Sequence, residues 1–130
     1  MFQIDLMSRL PIYEQITEQT KRLILAGLLK PGDKLPSVRS LSATLSVNPN
    51  TIQRAYNDMF AKGIAVSIGG KGCFIAQDAL EVLNNDAMQK LKTMETLVTD
   101  LKLAGIPEQT ILEKIENVYA NQEGNFHDSN

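Results

Sequence analysis

Five polar residues that can bond to the edges of nucleic-acid bases fall in one short stretch: Asn48, Asn50, Thr51, Gln53 and Arg54. In the DNA major groove Asn and Gln can bond bidentately to adenine, Arg can do so to guanine, and Thr can bond polar base atoms or touch the thymine methyl. Asn48-Pro49 is typical of a helix start, a capping amide followed by proline at the first helical position. The stretch therefore predicts a helix whose N-terminal end offers base-reading side chains and a positive dipole suited to phosphate.

The same segment carries an apolar stripe on its other side. Ile52, Ala55, Tyr56 and Met59 recur at the spacing of one inward helical face. A polar outer face is also what an ordinary solvated helix presents, so this helix alone leaves both interpretations open. The neighbouring elements have to decide between them.

Two further helices are predicted before this one. Ser37 is a suitable N-cap for a short helix in which Leu41 and Leu45 share one face, and Ser46-Val47-Asn48 breaks that helix. Pro11 opens an earlier, longer helix with an apolar stripe of Ile12, Ile16, Leu23 and Ile24. The pattern is that of two short helices joined by a tight turn and backed by a third.

A β-hairpin is predicted after the polar helix. Lys62-Gly63 ends the helix, and two apolar strands, Ile64 to Ile68 and Cys73 to Ala76, are joined by Gly69-Gly70-Lys71-Gly72. Beside a helix-turn-helix unit such a hairpin is a wing, whose glycine-rich tip can approach the minor groove closely. The alternative is that the glycines only make the turn. Their spacing does not fit a nucleotide-binding P-loop.

Charge divides unevenly along the 130 residues. Residues 1–76 hold nine Lys/Arg against five acids, a net +4, whereas residues 77–130 hold four lysines against ten acids, a net −6; together these give the overall −2. A polyanionic partner is expected at the N-terminal part, and the acidic part is expected to stay off DNA.

Several function classes are disfavoured by composition. One cysteine, Cys73, and one histidine, His127, assemble neither a metal site nor a Cys/His nucleophile, so we expect no enzyme, no metal and no cofactor. Cys73 is predicted to pack as a small buried strand residue, with a redox-sensing thiol as the alternative. No apolar run approaches the roughly 20 residues that span a bilayer, so we expect a cytoplasmic protein with no membrane partner.

The C-terminal part predicts a helical hairpin. After a polar, partly helical connection at 77–86, one stripe runs through Leu91, Met94, Val98 and Leu101, and a second includes Ile111 and Ile115 beyond the break at Gly105-Ile106-Pro107. Two helices of this length cannot bury both stripes within one chain, so a partner chain is expected to cover them. The alternative is that the hairpin folds back on the N-terminal domain. Residues 123–130 are predicted to be a disordered tail.

Three runs together resemble a known family: PIYEQI at Pro11–Ile16, LKPGDKLPSVRSLSATLSVNPNTIQRAY at Leu29–Tyr56, and GGKGCFI at Gly69–Ile75. They are similar to the winged helix-turn-helix domain of the GntR family of bacterial transcription regulators, over about residues 10–76. The resemblance implies DNA contacts from Arg39, from the start of the recognition helix (Asn48, Asn50, Thr51, Gln53) and from the wing-tip Gly70. Helix geometry adds Arg54 as a phosphate or base contact. Lys71, beside Gly70, is expected to be a wing contact.

The short helical hairpin is similar to the C-terminal domain of the YtrA subfamily. The predicted architecture is therefore mainly α with a small β-hairpin: a winged helix-turn-helix domain at 1–76 and a helical dimerisation domain at 77–122. The resemblance implies a homodimeric repressor that binds double-stranded DNA at an inverted-repeat operator, in the bacterial cytoplasm at the nucleoid. No effector is indicated. The alternative is a dimeric module whose winged domain binds protein.

Overall fold

The computed structural model describes residues 2–121. By its internal contacts the chain divides into two compact units, Met1–Asn84 and Asn85–Asn130. The predicted tail at 123–130, and Gln122 at the end of the predicted dimerisation domain, lie outside the described residues.

Three helices form the body of the first unit. They are α1 (Ile12–Leu25), α2 (Val38–Leu45) and α3 (Pro49–Lys62). The core is made of their inward faces, where Ile16, Ile24, Ile52 and Met59 are almost fully buried. Burial of these apolar faces is the main stabilising term for helices too short to persist alone.

Local chemistry sets the helix ends as the sequence predicts. The Ser37 hydroxyl accepts a hydrogen bond from the Ser40 amide at 3.0 Å, and the Asn48 side-chain oxygen accepts one from the Asn50 amide at 2.8 Å. Gly63 ends α3 in the left-handed conformation, with φ 78°. Pro11 is the N-cap of α1, so that helix begins one residue later than predicted.

The wing is a two-stranded antiparallel hairpin of β1 (Ala65–Ile68) and β2 (Gly72–Ile75), with Val66 opposite Phe74 and Ser67 opposite Cys73. An isolated bridge joins Lys34 to Phe74 across the outer side of β2.

The N-terminal segment lies along α1. Gln19 pairs with the backbone amide and carbonyl of Gln3, and Gln15 does the same for Asp5. Phe2 is buried, whereas Leu6 is 79% exposed. Two glutamine side chains one turn apart thus take the place of a neighbouring strand.

The chain ends in two helices, α4 (Ala79–Leu103) and α5 (Glu108–Ala120), separated by a turn in which Gly105 has φ 89°. The connection predicted at 77–86 is instead mostly the start of α4. The physical reason is that Ala79 and Leu83 are buried, which stabilises helix through the weakly helix-forming Asn84, Asn85 and Asp86. No helix of residues 2–121 is long and apolar enough to cross a membrane.

Candidate nucleic-acid interface

The outer face of α3 is a row of amide side chains. Asn50, Gln53 and Asn57 are exposed, and the four buried residues Ile52, Ala55, Tyr56 and Met59 lie on the opposite side. The Gln53 side-chain nitrogen donates to the Asn57 side-chain oxygen at 3.0 Å. Gln53 keeps one N–H and its carbonyl oxygen free, and these are the donor and acceptor that adenine's edge requires.

The N-terminal end of α3 is exposed and capped from within. The Asn48 side-chain oxygen is engaged at the Asn50 amide, so only its amide nitrogen is free to donate to a ligand. Thr51 is half-buried at the edge of the outer face. The structure therefore places Asn50 and Gln53 outward, and Asn48 and Thr51 at the margin.

Arg54 takes a different position from the amide row. Its guanidinium carbon lies 4.0 Å from the centroid of the Tyr13 ring on α1. At this distance the positive charge interacts with the negative face of the ring. Sequence reasoning missed Tyr13 as part of the site; the signal available was its place in the PIYEQI run.

A second contact between α1 and α3 lies one turn further along both helices. The Thr17 hydroxyl is 3.0 Å from the Asp58 carboxylate, to which Lys62 also donates at 3.0 Å. Partial burial raises the pKa of Asp58, but the hydrogen bonds from Lys62 and Thr17 and the positive charges of Lys62 and Lys21 outweigh it, so the pKa is lowered. Asp58 is therefore held ionised at neutral pH, where it fixes α3 against α1.

Arg39 on α2 and Lys71 at the wing tip are also exposed. Arg39 lies on the second residue of α2, and no carboxylate of residues 2–121 is within 4.0 Å of it. Lys71 lies at the wing tip next to Gly70, whose φ of 75° is the left-handed region that favours glycine. A Cβ added at Gly70 would meet no atom within 4 Å, so the tip is open to an approaching backbone.

Cys73 is half-buried on β2, opposite Ser67. Burial raises the pKa of the Cys73 thiol, which lowers the thiolate fraction at neutral pH. This environment suits a packing residue better than a reactive thiol.

Neither stripe of the C-terminal unit is buried. Leu91 is 48% exposed, Met94 44%, Leu101 41% and Ile115 39%, while Val98 and Ile111 are half-buried. α5 has no buried residue at all. The residues predicted for dimerisation thus form apolar surface that this single chain leaves uncovered.

No group of three or more possible metal ligands occurs among residues 2–121. The candidate site residues of the first unit are an exposed helix start, a row of amides, the exposed cations Arg39, Arg54 and Lys71, and an open wing tip.

Comparison with known proteins decides the family. Residues 12–75 match the bacterial regulatory proteins of the gntR family. The chain is 40% identical over 125 residues to the HTH-type transcriptional repressor YtrA of Bacillus subtilis, covering 95% of this chain and 96% of that protein. The chain belongs to the GntR family. It is a DNA-binding transcription regulator with a winged helix-turn-helix fold, as predicted, and its relatives are regulators rather than enzymes.

The solved structures with a similar fold include a transcriptional regulator and a DNA-binding domain bound to its operator. A GntR family transcriptional regulator from Listeria monocytogenes superposes with TM-score 0.67 at 32% identity, covering 85% of this chain and 96% of that one. The DNA-binding domain of AraR, in complex with operator ORX1, superposes with TM-score 0.52 at 28% identity, covering 58% of this chain and 96% of that one. The winged-helix identification and the YtrA-like resemblance are confirmed.

Proposed function

We propose that this GntR-family regulator is a homodimeric repressor that occupies an inverted-repeat operator. The observation that carries the proposal is the uncovered apolar surface of α4 and α5. A second copy of the chain is the occupant that matches it, because both stripes would then be buried against their equivalents.

The spacing along α4 supports this partner. Leu91, Met94, Val98 and Leu101 follow a 3-4-3 spacing, the seam of a helix that packs against another helix. Leu103, which is 80% exposed, falls on the opposite side of α4 and is not part of the seam. A directional stripe of this kind fits a specific helix partner better than a general apolar surface does.

Dimerisation suits DNA recognition as well. One recognition helix reaches only a few base pairs, and a second one related by a two-fold axis would read a mirrored half-site. The operator would therefore be an inverted repeat. The net charge of −6 over residues 77–130 suits a unit that contacts protein and not DNA.

The DNA contacts are assigned as follows. Asn50 and Gln53 would bond base edges in the major groove, with Asn48, Thr51 and Arg39 contacting the DNA beside them. Gly70 and Lys71 at the wing tip would meet the adjacent minor groove and its phosphates. Arg54 would contribute a further contact.

Repression would act by occupancy, in which the bound dimer excludes RNA polymerase from a promoter. The Bacillus subtilis relative is named a transcriptional repressor, which supports this direction of control. Such a protein would work in the bacterial cytoplasm, at the nucleoid.

The test is a titration of the highest-affinity duplex recovered from a random pool, combined with measurement of stoichiometry. Two chains per duplex are expected, and Arg39→Ala should weaken binding by ~1–3 kcal/mol while leaving the dimer intact. Arg22→Ala, an exposed arginine in the last turn of α1, is the matched control and should bind like wild type. One chain per duplex, or equal losses for the two variants, would contradict the proposal.

A further inference from the structure

We propose that Tyr13 is a positioning residue for Arg54, and that the arginine it holds binds a DNA phosphate and not a base. The inference rests on the proposed function, since it names the role of one more residue at the same DNA interface. One recognition helix would then use Arg54 for affinity and its amide side chains for sequence preference.

Arg54 lies on the side of α3 that faces α1. At 100° per residue, Asn50 lies almost opposite the centre of the buried stripe. Asn57 lies to one side of Asn50, and Arg54 and Asp58 lie to the other side. Asp58 contacts Thr17 of α1, so this side of α3 faces α1. Arg54 therefore lies on the α1-facing flank of the outer face, and its side chain contacts Tyr13 of α1.

Two contacts of equal spacing hold that flank. Tyr13 and Thr17 are four residues apart on α1, and their partners Arg54 and Asp58 are four residues apart on α3. Side chains four apart lie one above the other on the same face of a helix. The Tyr13–Arg54 stack is thus aligned by a second contact one turn away.

The stack decides what the guanidinium can reach. A guanidinium bonds guanine or phosphate through the N–H groups at the edge of its plane, whereas its face is free to stack on an aromatic ring. Contact with one ring leaves several of the five N–H donors available and holds them on the α1 side of the outward amide row. The groups at the flank of a helix lying in the major groove are those nearest the DNA backbone, so phosphate oxygens are the expected ligand.

Preorganisation is the contribution of Tyr13. An exposed arginine loses rotamer freedom when it binds, and a ring that already restricts its side chain reduces that loss. No carboxylate of the described residues lies within 4.0 Å of Arg54 to compete with phosphate.

The experiment measures the affinity of the selected duplex and of its single-base-pair variants over a series of salt concentrations. Arg54→Gln should weaken binding to every duplex by the same factor and reduce the slope of log K against log salt by about one for each bound protomer. Tyr13→Leu should weaken binding uniformly by roughly two- to fivefold, the equivalent of an exposed cation–π contact. Tyr13→Phe keeps the ring face and should bind like wild type.

Combining Tyr13→Leu with Arg54→Gln should give no loss beyond that of Arg54→Gln alone, which distinguishes positioning from a general effect on folding. The inference is overturned if Arg54→Gln abolishes preference at one base pair and leaves the salt slope unchanged, or if Tyr13→Leu binds as tightly as wild type. If the wild-type protein shows no salt-dependent DNA affinity, the proposed function fails and this inference fails with it. If the wild-type protein binds DNA but either variant gives the contrary result above, only this inference fails.

Discussion

The hydroxyl of Tyr56 lies 2.6 Å from the backbone carbonyl oxygen of Pro36, to which it donates a hydrogen bond. This bond joins the recognition helix α3 to the segment that leads into α2, so it fixes the two helices of the DNA-binding motif relative to each other. Burial of the ring, with a smaller effect of nearby Cys73, raises the pKa of Tyr56 well above its ordinary range. The phenol therefore remains a donor under all ordinary conditions.

Tyr56→Phe is expected to lower the free energy of unfolding by ~0.5–1.5 kcal/mol, because the Pro36 carbonyl oxygen loses that donor while the packing of the ring is kept. Urea denaturation at a fixed chain concentration measures the change, and the m-value should be unaffected. Tyr119→Phe, at an 82% exposed position on α5, is the matched control. Equal stabilities for the two variants would show that the Tyr56 bond is energetically unimportant.

Asn57 is expected to sharpen the base preference of Gln53, because its side-chain oxygen accepts the hydrogen bond that orients the Gln53 amide. Gln53→Ala should remove discrimination at one base pair of each half-site, a loss of ~1–3 kcal/mol. Asn57→Ala should weaken discrimination at that same base pair by ~0.5–1 kcal/mol, the scale of one hydrogen bond. Titration of single-base-pair operator variants gives both numbers.

A loss of preference at a different base pair in Asn57→Ala would mean that Asn57 contacts a base itself. Unchanged preference in Gln53→Ala would remove Gln53 from the base-reading residues altogether.

The sequence predicts those parts of the fold that are set by residues next to each other in the chain. The start of α3 at Asn48-Pro49 and the turn at Gly70 follow from the chemistry of neighbouring residues, and both are present in the structure. The predicted start of α4 is too late, because Asn84, Asn85 and Asp86 disfavour helix locally. The helix continues through them because Ala79 and Leu83 are buried.

The site residues also fall into those that local spacing places and those that depend on contacts between distant parts of the chain. Helical spacing is enough to place Asn50 and Gln53 on an outer face, but it leaves Arg54 open between a base and a phosphate contact. Its stack on Tyr13 joins residues forty-one positions apart, and no local pattern encodes which helix lies beside α3. The same holds for Gln15 and Gln19, whose partners depend on the path of the N-terminal segment.

Leu101→Asp should dissociate the proposed dimer, because it places a charge in the apolar seam, where burial without a partner is costly. Sedimentation velocity should show the monomer, and operator affinity should fall with it. Leu103→Asp, the same substitution two residues along α4 and off the seam, should leave the dimer and its affinity unchanged. If both variants sediment as wild type does, the interface lies elsewhere.

Asp58 makes the stability of the first unit sensitive to acid. Its pKa is lowered in the folded state, so its contribution is fully present above the unfolded value of 3.8 and is lost as the pH falls through the folded pKa. Asp58→Asn should therefore be less stable than wild type at pH 7, and the difference should shrink as the pH drops below about 4. Thermal unfolding at a series of pH values measures this.

Asp100→Asn, at an exposed position on α4, is the control, and its stability should stay within ~0.5 kcal/mol of wild type across the series. A difference between wild type and Asp58→Asn that is constant from pH 7 to pH 3 would show that the charge of Asp58 does not contribute.

Selection of bound sequences from a random duplex pool shows whether two copies of this regulator read mirrored half-sites. An inverted repeat should be enriched, and binding to it should weaken steeply as salt rises because each protomer contacts several phosphates. Enrichment of a single unrepeated site, or no enrichment at any salt concentration, would rule out recognition of mirrored half-sites.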